Sequence, residues 1–266
     1  MANPVELLVS RLQAAVTQPE ERRDAYASSL DHALALSVRL PLVHRTARPG
    51  QAAWTAILRE RGLKRTPVGS AGERAAGHDE ALYFFVGSGA YPHGELAFFF
   101  DLSLAEEGSV EPTFTPFDSG GLAAGFMQTW DDGAEIAHRD RGDLFALHVG
   151  DGKDVGEYTG HHIAAHLRDP QDYVRRPLVS QPDFPPAHGF VSRTGHRLAW
   201  TVEVQVHDDV SLDGWFLAVA AGRRDRILEL PDDLIGLATY PSEAEGELGE
   251  SDFDAHIASV VLGMIS

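Results

Sequence analysis

The hydrophobic pattern shifts from mainly helical to mainly extended spacing along the chain, and that shift constrains the fold more than any motif does. Up to about residue 62 the apolar residues recur at helical spacing. Val5, Leu7, Leu8, Leu12 and Val16 follow Pro4, and Tyr26, Leu30, Ala33, Leu34 and Val38 follow Pro19-Glu20-Glu21. Trp54, Ile57 and Leu58 then precede Gly62, which predicts a third helix over 51–62 capped by that glycine, with a short strand over 39–44 before it. From Ala81 onward the pattern is that of strands, over 81–86, 95–104, 197–207 and 215–221. Segments 66–79 and 87–94 are rich in Gly, Ala, Ser or Pro and read as loops. Helices followed by strands predict a single α+β domain over 1–266, with the helical N-terminal segment 1–38 beside a split, mainly antiparallel sheet. The less regular stretch 105–195, with turns at Asp118-Ser119-Gly120-Gly121 and Pro182 to Pro186 and a helix over 160–169, reads as an elaborated middle insertion. Residues 229–254 carry nine acids and no Lys or Arg, which predicts a solvated, partly disordered acidic tail before a short apolar end.

Composition narrows the chemistry. With no cysteine among 266 residues, disulfides, thiolate nucleophiles and cysteine-held metals are excluded. The N-terminus lacks a basic and then apolar leader, and no stretch has the roughly 18 apolar residues of a membrane span, so the expectation is a soluble, cytoplasmic protein. The formal net charge of -18 is polarised: residues 1–70 hold 10 Lys+Arg against 6 Asp+Glu, and the remainder holds 12 against 34. That balance disfavours extended contact with a nucleic-acid backbone and leaves room only for a local basic face near the N-terminus. The Walker phosphate loop and the Gly-x-Ser-x-Gly elbow are absent, and Gly87-Ser88-Gly89 leads to Tyr91-Pro92 instead of a helix, against a dinucleotide fingerprint.

Three features remain that can carry chemistry. Glu203 heads the alternating run Glu203-Val204-Gln205-Val206, where a carboxylate either lies on the wet side of a half-exposed strand or stabilises a developing positive charge. His44, in Val43-His44-Arg45-Thr46 at a strand end, can bond a ribose hydroxyl or simply the nearby backbone. Tyr83, in Leu82-Tyr83-Phe84-Phe85, precedes the glycine-rich loop and Tyr91, and such aromatic faces either stack a planar ring or fill the core.

Taken in this order, the features resemble the ADP-ribosyltransferase fold, most closely the toxins of toxin-antitoxin modules that modify DNA bases. The tRNA 2'-phosphotransferases and the diphtheria-toxin branch are more distant relatives of that fold. His44 precedes Ile57-Leu58-Arg59-Glu60-Arg61-Gly62-Leu63, similar to the family's isoleucine-leucine-x-x-glycine-leucine helix end with one extra residue. Tyr83-Phe84 resembles its aromatic strand, and Glu203 to Leu212 its glutamate, valine-rich turn and following strand. The resemblance covers 40–100 and 195–222. It implies NAD as cosubstrate, with His44 on the adenosine-side ribose, Arg45 and Thr46 also among the cofactor-binding residues, Tyr83 or Tyr91 on nicotinamide, and Glu203 as the catalytic residue stabilising the ribose cation as nicotinamide leaves. The acceptor is then a protein or a nucleic acid, and an antitoxin is an implied partner. Thr201 stands where many arginine-modifying members carry Gln or Glu, and a strand read two residues later puts Gln205 in the catalytic place of an inactive relative.

Two other classes stay open. A noncatalytic interaction or immunity protein would use the acidic surface on a basic protein partner. A metal-dependent hydrolase would use His162 and His166, four apart on one helical face, with His138, His148 or Asp169 as third ligand; the glutamate of the zinc-protease motif is missing, since Ile163 follows His162.

Overall fold

The computed structural model describes residues 3–15, 19–45, 60–65, 80–88, 95–106, 112–227, 230, 232–241 and 247–266. Two helices, Pro4–Ala14 and Pro19–Ser37, open the chain as the periodicity predicts. Asn3 caps the first, its Oδ1 accepting from the Val5 N–H at 2.8 Å ahead of Pro4. The strands are β1 Leu42–Arg45, β2 Gly62–Leu63, β3 Leu82–Val86, β4 Leu96–Phe100, β5 Thr113–Thr115 and β6 Met127–Thr129, then β7 Gly150–Asp151, β8 Phe190–Ser192, β9 Glu203–Val206, β10 Val210–Ser211, β11 Phe216–Ala221 and β12 Ala238–Thr239. Eight of them form one sheet in the order β12-β11-β4-β1-β3-β9-β5-β7, antiparallel throughout except for the β11/β12 edge. The fold is therefore mixed α and β with a mainly antiparallel sheet, unbroken across these eight strands. Among the described residues no helix is long and apolar enough to cross a membrane.

Residues paired directly across a ladder share a face, so the register sorts the sheet. His44, Phe84, Phe98, Val204 and Phe114 lie on one face, and Arg45, Tyr83, Phe85, Glu203, Gln205, Thr113 and Thr115 on the other. The helix Val155–His166 covers the first face, Tyr158 packing on Phe114 with ring centroids 4.7 Å apart, and the Pro19–Ser37 helix lies against it in turn. The second face is closed by Phe117, Leu122 and Leu198 around Phe85, and by the C-terminal helix Glu250–Ile265, whose Phe253 ring sits 4.9 Å beneath the Arg45 guanidinium.

Several expectations are corrected. Stretch 105–195 is no insertion beside the sheet: β5 and β7 extend the sheet beyond β9, and the Val155–His166 helix contributes to the main core. That helix begins five residues before Gly160, which is an interior packing position and not a start. The acidic stretch 229–254 is not simply a solvated tail, since it supplies the short helix Asp232–Ile235, edge strand β12 and the start of the C-terminal helix. Hydrophobic residues such as Leu234 and Phe253 tie it down against the repulsion of its charges. Before β2 the left-handed residue is Arg61, at φ 50, and Gly62 is already in the strand. The remaining 51–59 of the expected third helix, and the 66–79 loop, lie outside the described residues.

Candidate functional site

Strand β9 lies between β3 and β5 with both faces covered, and this decides the fate of Glu203. The alternation suits a strand with one wet side, yet all four residues Glu203 to Val206 are buried and Glu203 is 0 % exposed. Its Oε1 accepts from the Ser119 hydroxyl at 2.5 Å, the Ser119 N–H at 3.3 Å and the Gln205 amide at 3.0 Å. The Asp118 carboxyl acts on Glu203 from close by and raises its pKa, and Glu203 Oε2 is buried with no partner unless the two acids share a proton. Two buried carboxyl groups so placed hold a proton between them. Burial first, and the Asp118 charge second, hold the Glu203 carboxyl well above the usual carboxylate range, while the bonds from Ser119 and Gln205 pull the other way.

The partners are fixed by a short corner. The Thr115 hydroxyl donates to the Phe117 carbonyl at 2.7 Å, and the Asp118 N–H to the Leu198 carbonyl at 2.7 Å, so Asp118 and Ser119 enter the short helix Ser119–Ala123 aimed at β9. Gly121 is needed there, because a Cβ would stand 2.9 Å from Asp118 Oδ2. The polar cluster continues along the face: Gln205 donates to the Ser119 hydroxyl at 3.1 Å and accepts from Thr113 at 3.3 Å, and Thr113 meets His207 Nε2 at 3.1 Å. His207 and Thr113 are half-buried, so the network runs from a sealed acid pair to the protein's edge. Such an arrangement can hold and relay a proton; Glu203, Asp118 and Ser119 are too enclosed to touch a bound molecule.

The residues expected to hold NAD do not converge. His44 projects from the face opposite Glu203, donating from Nδ1 to the Tyr83 carbonyl at 2.9 Å and packing on Phe84 at 5.5 Å; burial lowers its pKa, so it is neutral. Strand β3 stands between β1 and β9, and one NAD cannot lie against His44 and Glu203 on opposite sides of a paired sheet. Arg45 faces the Glu203 side but is buried over Phe253. Tyr83 shares that side, opposite Gln205. Thr46 and Tyr91 lie outside the described residues. The choice between Glu203 and Gln205 also dissolves, because both point the same way and are bonded to each other. His44 and Glu203 therefore do not share one site on this sheet as the resemblance implies. His44→Phe should keep the Phe84 contact and lose one hydrogen bond, a cost of about 1 kcal/mol in urea unfolding, with no change in behaviour toward NAD.

The metal reading meets a similar obstacle. His166 donates from Nδ1 to the His162 carbonyl at 2.7 Å and accepts at Nε2 from the Ala187 N–H at 3.0 Å, so neither nitrogen is left to ligate. His148 is likewise spent on the Leu144 carbonyl at 2.6 Å and on Arg11 at 2.5 Å, and His138 and Asp169 are exposed. No group of three or more His, Asp or Glu suited to a metal ion occurs among the described residues. Sequence reasoning missed Asp118 and Ser119 as partners of Glu203, although their turn was visible, and missed Arg11 and His188 beside the paired histidines altogether.

No protein-family model matches the chain, and no curated protein matches it.

Proposed function

We propose that the chain is a noncatalytic binding protein whose acidic surface engages a basic protein partner, as an immunity or regulatory factor would. Glu203 carries this reading: the best catalytic candidate is sealed in the protein, its carboxyl bonded to Ser119 and Gln205 beside that of Asp118, while His44 points away from it. A transferase site would need that carboxylate open to a sugar; here it is sealed, and burial holds its pKa well above the usual carboxylate range. Charge supports the same view. The excess of acids lies in residues 71–266, and in 131–143 the acids Asp131, Asp132, Glu135, Asp140 and Asp143 are exposed while Arg141 is buried and only Arg139 offsets them at the surface. Such a surface accelerates encounter with a cationic protein and repels nucleic acid.

Two measurements test the proposal. Incubation with NAD should release no nicotinamide by mass detection, and Glu203→Gln should behave identically; release that vanishes in the variant would restore ADP-ribosyl transfer and end the binding reading. A partner captured from the source cells, identified and purified should be basic, and raising salt from about 50 to about 500 mM should weaken its binding by roughly tenfold or more. A neutral partner with salt-independent affinity would contradict the proposal.

A further inference from the structure

A hollow of about 230 Å³ opens where the loop Pro177 to Val179 meets the first turns of the C-terminal helix Glu250–Ile265. Leu178, Val179, Ala255 and Ala258 give it an apolar lining, and Asp254 stands in the wall from the helix side. Its volume falls below the roughly 300 to 1,000 Å³ of drug-sized sites, so it suits a ligand no larger than one long side chain.

Asp254 is the group in this wall that the protein leaves undersupplied. The residue is buried to 7 % exposure, yet among the described residues its carboxylate forms no ion pair and meets a single donor, the Leu178 N–H. A carboxylate taken this far out of water is stabilised by several hydrogen bonds or by a close cation. The arginines nearby are engaged elsewhere. Arg197 donates to the Tyr173 and Arg176 carbonyls and stacks 4.4 Å from the Trp200 ring, and Arg45 lies over Phe253. Arg176 is held by Asp172 at 3.1 Å and Asp183 at 2.5 Å, and Arg175 stands 3.7 Å from Asp169. Arg197 and Arg45 therefore attract Asp254 only through space, and burial outweighs them both, raising its pKa. At least one of its oxygens is open to the hollow, in contrast to the enclosed Glu203 Oε2.

We propose that this hollow binds an organic cation, an ammonium or guanidinium on an apolar stem, with Asp254 as its counter-ion and Leu178, Ala255 and Ala258 along the stem. The head group brings the charge-assisted hydrogen bonds that the carboxylate lacks. The stem covers the apolar wall in the way that lysine and arginine side chains lie along apolar surface. A free alkylamine and a lysine or arginine side chain of another protein offer this same chemistry. The site stands whether or not the acidic surface docks a partner.

Titration of the full chain followed by amide NMR shifts tests the assignment, with two cations and their neutral counterparts: n-butylammonium against 1-butanol, and Nα-acetyl-lysine methylamide against the norleucine analogue. Each cation should bind about tenfold more tightly than its counterpart, with shifts centred on 177–179 and 254–258. A tighter fit for butylammonium assigns the site to free amines, and a tighter fit for the blocked lysine to a protein side chain. Asp254→Asn keeps the size of the side chain and should bring both cations down to the level of the neutral compounds. Should that variant fail to fold, the preference for the cations and the position of the shifts in the unmodified protein still decide. No binding of either cation up to about 20 mM, neutral compounds that bind as tightly, shifts centred on the acidic stretch 131–143, or unchanged affinity in a folded Asp254→Asn would each overturn the proposal.

Discussion

Glu203→Ala should lose about 3 kcal/mol of stability at pH 7, whereas Glu203→Gln should fold as well as the unmodified protein or better. The alanine leaves the Ser119 hydroxyl, the Gln205 amide and the Asp118 carboxyl without their shared partner in a fully buried space. Glutamine is isosteric with a protonated glutamate: its oxygen accepts from Ser119 and Gln205, and its NH₂ donates to Asp118. Urea midpoints at constant m would give both values.

The two proteins should also differ in pH dependence. The folded pKa of Glu203 is raised well above the ordinary value of 4.5, so the folded state holds this proton more tightly than the unfolded chain does. The resulting stabilisation is complete below about pH 4.5 and is lost as pH rises toward the folded pKa, with a slope of up to about 1.4 kcal/mol per pH unit. Glutamine does not titrate. The stability of Glu203→Gln relative to the unmodified protein should therefore climb as pH rises from about 4.5 to the folded pKa of Glu203. A difference that stays flat over that range would mean that Glu203 is an ordinary ionised carboxylate, and the acid pair would be wrong.

Gly160→Ala should destabilise by about 2 kcal/mol, against the expectation from helix propensity, and Gly160→Leu by about 3 kcal/mol or more. In a free helix, alanine for glycine gains about 1 kcal/mol. At this position a Cβ would stand 2.7 Å from Leu34 Cδ2, 2.9 Å from Leu34 Cα and 3.0 Å from Ser37 Oγ. A side-chain tip can turn away, but the Leu34 backbone cannot, and Ser37 is fully buried with its hydroxyl donating to the Leu34 carbonyl. The helices Pro19–Ser37 and Val155–His166 would have to separate. Gly263, in the C-terminal helix with nothing within 4 Å of its would-be Cβ, is the control: Gly263→Ala should stabilise by about 0.5–1 kcal/mol. If both alanines stabilise alike, close approach at Gly160 is not what holds the two helices together.

How much of this was legible in the sequence depends on the range of the interaction involved. The two N-terminal helices and strands β1, β3, β4 and β11 follow the apolar period closely, because each buries a stripe or face written in its own residues. The second helix was placed within a residue or two, its start marked by Pro19-Glu20-Glu21. The Val155–His166 helix begins five residues before the expected 160–169, and its glycines at 156 and 160 are contact points, facing Glu106 and Leu34 respectively. Glu203 stood out in the sequence with the wet side of its strand as one reading, but Ser119 and Asp118 are 84 and 85 positions away, and nothing local pairs Asp118-Ser119 with β9. The same holds for the hollow, where Asp254 of the C-terminal helix meets the distant Leu178 N–H.

By itself, then, the sequence determined the two N-terminal helices, strands β1, β3, β4 and β11, the absence of thiol chemistry, and the acidic imbalance, because these follow from local periodicity and composition. Only the tertiary structure decided which side of the sheet each chemical group faces. Strand order and register set His44 and Glu203 back to back and turned an apparently wet carboxylate into half of a sealed acid pair, and helix packing set Asp254 in the wall of a hollow. Side chains one residue apart in a strand point to opposite faces, so the sense of every strand-borne site depends on pairings that are made by other strands, far along the chain.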